Sequence, residues 1–169
     1  SNLIVGPATP GQDGYVRVSA NSPGDSAVIR DVLFESCKIS GQEGALAVQG
    51  ACPGLAEISN NAFYDYRNVG LYIRLATTRY ARANNIFFST AANSTAVSGQ
   101  AGTGDVGPET GAVIFRSPGG VIMTNPGSPL VDCYISGVTG LAAFNAASDS
   151  AISGGAIFGC AEALGSAIG

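Results

Sequence analysis

A degenerate repeat runs through this 169-residue chain and constrains its fold more than any other feature. A short apolar run ends in an aromatic residue, and a second, mostly glycine-led apolar run follows. The repeat reads at Asp31–Phe34, Asn60–Phe63, Asn84–Phe87, Ala112–Phe115, Val131–Tyr134 and Gly155–Phe158, with partner runs starting at Gly44, Gly70, Thr95, Gly120, Gly140 and Gly165. Successive aromatic anchors lie 29, 24, 28, 19 and 24 residues apart. A unit of this length cannot bury its own apolar face, so units must stack, and the spacing predicts a β-solenoid.

In such a stack the coils sit roughly 4.8 Å apart and equivalent positions form columns. Phe34, Phe63, Phe87, Phe115, Tyr134 and Phe158 are therefore expected to form one interior aromatic column. Asn61 and Asn85 fall at equivalent corners, where an amide side chain hydrogen-bonds the next coil and satisfies turn backbone groups. Glycine interrupts the chain too often for long helices, and no stretch from residue 26 onward keeps a helical apolar period for three turns.

The expected fold is all-β: a parallel β-helix of about six coils over residues 26–169, preceded over residues 1–25 by an irregular arm or an incomplete first coil. Within that arm Tyr15–Val18 alternates as a strand does. Residues 91–111 carry almost no large apolar group beyond Val97 and Val106 and read as a long loop or a loosely packed coil. The last coil carries no charged or helical cap, so either the chain continues or another subunit abuts it.

Composition narrows the partners. Charged residues make up 12%, about half the usual fraction, which fits a surface covered by neighbours or by copies of itself. A net charge of −4 argues against nucleic acid, and no apolar run approaches the roughly 18 residues that membrane insertion needs. The four cysteines, Cys37, Cys52, Cys133 and Cys160, lack zinc-like spacing. Cys133 takes the apolar slot that other coils fill with Leu33, Ala62 or Ile86, and both free buried thiols and a Cys37–Cys52 disulfide remain open.

The chain has no histidine, which removes histidine-based triads and histidine metal sites. Polysaccharide hydrolysis needs two carboxyl groups roughly 5 to 9.5 Å apart. Asp31 with Glu57 and Glu35 with Asp65 are the pairs that stacking places near one another. Asp105 and Glu109 are too few to gather calcium, so neither metal nor cofactor is expected. The densest polar-aromatic region is Tyr64, Tyr66, Arg67, Tyr72, Arg74, Arg79, Tyr80 and Arg82, which holds half of the eight basic residues. As one exposed face it suits a protein interface, a glycan contact or a solvated side of the helix.

The coils, and Asn60–Phe63 and Asn84–Phe87 especially, resemble the right-handed parallel β-helix proteins of the pectin-lyase-like superfamily, which also includes bacteriophage tailspikes and other virion β-helices. The resemblance covers about residues 26 to 169 and implies either polysaccharide cleavage or structural and binding service on virus particles or cell surfaces. The expectation is a non-catalytic virion protein: a phage spike, tail-fibre segment or capsid decoration, forming a homo-oligomer with a trimer favoured. It would contact other virion proteins or a surface glycan at a virion or extracellular surface. The alternatives are a polysaccharide lyase or glycoside hydrolase using Asp31, Glu35, Glu57 or Asp65, and a bacterial adhesin fragment.

Overall fold

Each repeat becomes three short strands separated by corners, and in the computed structural model every strand pairs in parallel with its counterparts one circuit away. The structure describes residues 4–5, 16–18, 27–37, 44–49, 55–74, 81–99, 109–123, 130–145 and 152–166. Among them all regular structure is β-strand.

Three parallel sheets result. Sheet A holds Ile4–Val5, Leu33–Glu35, Ala62–Tyr64, Ile86–Phe88, Val113–Phe115, Tyr134–Ser136 and Ala156–Phe158. Sheet B holds Val16–Val18, Gly44–Gln49, Val69–Arg74, Thr95–Gly99, Gly119–Met123, Leu141–Asn145 and Glu162–Ser166. Sheet C holds Ala27–Arg30, Leu55–Ser59, Ala81–Ala83, Glu109–Thr110, Leu130–Val131 and Ile152–Ser153. The path runs A, B, C and back to A, which is a parallel β-helix. Its circuits exceed the expected six because Ile4–Val5, Val16–Val18 and Ala27–Arg30 form one ahead of Leu33. Within 91–111, Thr95–Gly99 and Glu109–Thr110 are strands of the stack, and residues 100–108 lie outside the described residues.

The corner from sheet C to sheet A is fixed by backbone chemistry. Asp31, Asn60, Asn84, Gly111 and Asp132 all adopt left-handed conformations, with φ from 52° to 62°. Asn, Asp and Gly are the residue types that accept this region at least cost. Each turns its amide toward the neighbouring circuit: Asn60 N–H donates to Ala83 O at 2.9 Å and Asn84 N–H to Thr110 O at 2.8 Å.

The residue after each left-handed position forms a second column: Val32, Asn61, Asn85, Ala112 and Cys133. Here the expected asparagine ladder is present. Asn61 Oδ1 accepts from Val32 N–H at 3.1 Å, and Asn85 Oδ1 accepts from both Asn61 N–H and Asn61 Nδ2 at 3.1 Å. Asn61 Nδ2 also donates to Ile29 O, and Asn85 Nδ2 to Ile58 O. Cys133 lies in this column rather than in the slot of Leu33, Ala62 and Ile86, and its thiol donates to Glu109 O at 3.3 Å. Cys133 and Cys160 are free thiols, while Cys52, and with it the Cys37–Cys52 pairing, lies outside the described residues.

The aromatic column is shorter than expected. Phe34, Phe63 and Phe87 are buried and stacked with centroids 4.7 Å apart and planes within 5°, the spacing of the strands themselves. The same inward column continues as Ile114 and Ile135, both fully buried. Phe115 and Phe158 fall one residue past the strand centre and Tyr134 one before it, and all three are exposed. Side chains alternate along a strand, so a one-residue offset turns an anchor from the core to the outside. Gly70 makes room for the column: a Cβ there would lie 2.9 Å from the Phe87 ring and 2.8 Å from Ala96 O.

Phe87→Ala is therefore expected to cost about 3 to 5 kcal/mol. Phe115→Ala should cost under about 1 kcal/mol, as surface changes do. Denaturant unfolding of both variants checks the difference, and equal losses would mean that the two residues share one column after all.

Candidate functional site

The inward column of sheet C is apolar at Ile58 and Leu130, but between them it places Arg82 and Glu109, one circuit apart in register. Arg82 is 4% exposed and Glu109 1%, and Arg82 Nε lies 3.4 Å from Glu109 Oε2. Asn85 Nδ2 reaches Glu109 Oε1 at 3.4 Å, so the asparagine ladder ends on this carboxylate. Burial pushes the Glu109 carboxyl above its usual range, while the Arg82 guanidinium and the Asn85 amide pull it back. The pair lies inside the helix. Arg82 therefore leaves the exposed face on which its sequence neighbours predicted it, and Glu109 is turned away from any calcium role.

Two other members of that cluster are also buried. Tyr66 is fully buried; its hydroxyl reaches Ser117 Oγ at 3.0 Å and its ring meets Phe87 edge-on. Burial raises the Tyr66 phenol well above its ordinary value, and the Ser117 hydrogen bond opposes this. Tyr72 is buried in sheet B. Arg74 ends its strand in register with Gln49, its side chain lying outside the described set, as do Arg79 and Tyr80 entirely. Tyr64 and Arg67 are exposed. The cluster is thus divided between lumen and surface, because alternation sends neighbouring residues to opposite sides.

In register the carboxylates of the expected pairs are offset, by three positions for Asp31 with Glu57 and by one for Glu35 with Asp65. Glu57 stands in register with Val28 and Ala81, three positions before the corner that aligns with Asp31, and it accepts a hydrogen bond from Ser59 Oγ. Glu35 aligns with Tyr64, while Asp65 aligns with Ser36 and accepts from its hydroxyl at 3.3 Å. Among the described residues no group of three or more Cys, Asp or Glu side chains is arranged to hold a metal.

Two surface features remain. The connection from Phe88 to Thr95 is longer than that from Tyr64 to Val69, and the bulge leaves an open groove of about 530 Å³ whose polar lining is Asp65, Arg67, Asn68, Thr90 and Asn93. Asp65 and Arg67 were candidates from sequence; Asn68, Thr90 and Asn93 were not, and the run of small polar residues that marks the bulge gave no pointer to a ligand.

The second feature is the outer face of sheet A. Its two outward columns read Leu33, Ala62, Ile86, Val113, Tyr134, Ala156 and Glu35, Tyr64, Phe88, Phe115, Ser136, Phe158. Of the seven exposed large hydrophobic side chains among the described residues, five stand here: Tyr64, Ile86, Phe115, Tyr134 and Phe158. Tyr64 stacks on Phe88 at 5.0 Å, and Phe88 meets Phe115 at 4.9 Å. The exposed apolar side chains of the described residues are thus concentrated on this face.

The buried pair makes a testable contribution to stability. Removing one partner, by Arg82→Leu or Glu109→Leu, is expected to cost about 3 to 5 kcal/mol, whereas the double replacement should leave stability within about 1 kcal/mol of the parent or raise it. Glu109 binds its proton more tightly when folded than in the unfolded chain, where glutamate titrates near 4.3. Its contribution to stability therefore falls as pH rises above about 4, and the loss in Arg82→Leu should be smaller at pH 5 than at pH 8. Thermal melts at the two pH values check both statements.

No family model, curated protein or solved structure matches this chain, so its functional reading rests on this geometry.

Proposed function

We propose that the chain is a non-catalytic structural and binding β-helix that works by self-assembly and surface contact, in the manner of a virion spike, tail-fibre segment or capsid decoration. The observation that carries this reading is the outer face of sheet A, where aromatic and aliphatic side chains stand exposed across several successive strands. Keeping such a band in water opposes the hydrophobic effect, and covering it with a neighbour recovers that free energy. The low charge of the chain supports the same reading. So does the placement of three described carboxylates: Asp65 at a corner beside Ser36, Glu57 beside Ser59 and Glu109 inside the helix.

One observation favours a second reading. The groove at Asp65 and Arg67 follows directly on Tyr64, whose ring stacks on Phe88, and a polar cleft beside an aromatic shelf suits a polysaccharide. Incubation with acidic polysaccharides separates the two. The first reading expects no new reducing ends and no unsaturated products, with Asp65→Asn and Glu57→Gln behaving like the parent. Cleavage that disappears in Asp65→Asn while the fold persists would replace it with the second.

A further inference from the structure

We infer that the outer face of sheet A is a two-fold interface between two copies of this chain, with the axis running along the stack. The inference rests on the self-assembly reading above and specifies its geometry.

The five exposed apolar side chains of the face, at 36 to 59% exposure, present roughly 400–500 Å² if an aromatic residue offers about 200 Å². With the corner side chains added, this approaches the roughly 600 Å² per partner at which stable interfaces begin. A single apolar face of this kind closes on itself as an isologous pair, whereas a ring needs two different complementary surfaces.

The edges of the face differ in charge. The corner that leads into sheet A carries Asp31 and Asp132, both exposed, with Asn60, Asn84, Gly111 and Gly154 between and beyond them, and the exposed Arg30 stands immediately before Asp31. The corner that leads out carries the exposed Arg67 and Arg116, together with Asp65, which accepts the Ser36 hydroxyl, and the exposed Glu35 ends its strand at the same edge. A two-fold axis along the stack keeps the order of circuits and reverses strand direction. It therefore lays the leading-in edge of each copy over the leading-out edge of the other. Arg116 then stands one circuit from the partner copy's equivalent of Asp132, and Arg67 one circuit from the equivalent of Asp31. A circuit is roughly 4.8 Å, within the reach of an arginine side chain. A two-fold axis along the strands would instead set acid against acid, so charge selects the first arrangement.

The test is the solution mass of the full chain by light scattering across a concentration series, with variants. The expected result is a dimer. Tyr134→Lys should yield monomers that still unfold cooperatively, since that side chain is half-exposed and outward. Arg116→Asp and Asp132→Arg should each raise the dissociation constant tenfold or more, and the double variant should return it to within a few-fold of the parent. Both corners tolerate these residues, because Arg116 and Asp132 already share left-handed backbone. A monomer at every concentration, a dimer indifferent to Tyr134→Lys, or a double variant without rescue would overturn the interface. A trimer dispersed by Tyr134→Lys would overturn the two-fold while leaving self-assembly through this face intact, and cleavage of polysaccharide by a Tyr134-dependent dimer would remove the functional reading alone.

Discussion

Parallel pairing between circuits sets the spacing of everything else. Backbone hydrogen bonds hold neighbouring strands about 4.8 Å apart, and a side chain therefore meets its equivalent in the next circuit before it meets anything else. Phe34, Phe63 and Phe87 stack with centroids at 4.7 Å because the ladder delivers them at that distance. Near-parallel rings at this separation lie within the range that aromatic pairs favour, so the ladder and the rings agree. The same delivery creates the asparagine ladder at the corner and the outward stack of Tyr64 on Phe88. It also sets the demand on the corners, which must reverse direction without disturbing the rise, and Asp, Asn and Gly in left-handed conformation meet it circuit after circuit.

Much of this was legible in the sequence because a column leaves a periodic trace. The doubled asparagines at 60–61 and 84–85 predicted the corner ladder, and the apolar runs predicted the strands. What the sequence left ambiguous was the phase of each run. Ile114 and Phe115 are both apolar, as are Ile157 and Phe158, and only the pairing register decides which of each turns inward. The larger residue was the natural choice for a core anchor, yet in both cases it faces out, and the face that it helps to build is the feature on which a functional reading now turns.

The interior ion pair was hidden for a different reason. Arg82 stood among tyrosines and arginines that read as a surface, and Glu109 stood at the end of a small polar run, with nothing local linking the two. Only the circuit brings them together, at a position where the neighbouring rungs carry Ile58 and Leu130. A charge pair in an otherwise apolar column contributes less net stability than aliphatic residues would, but it matches only one alignment of the two strands. A circuit slipped by one residue would leave both charges without their counterpart, so the pair discriminates against misaligned stacking in a fold whose repeats otherwise look alike.

Asn60 and Asn84 occupy the same corner 24 residues apart, and each passes its amide hydrogen bond to the circuit beyond. Joining the chain at equivalent corners removes or adds one whole circuit without shifting the strand register, and a circuit that carries neither Arg82 nor Glu109 can be exchanged without leaving a buried charge unpaired. Tandem duplication of such a circuit is therefore a structurally conservative event. Length in such a protein is a heritable variable that recombination can adjust in discrete steps, with the number of circuits, and with it the extent of the exposed face, changing while the local chemistry of each corner stays the same.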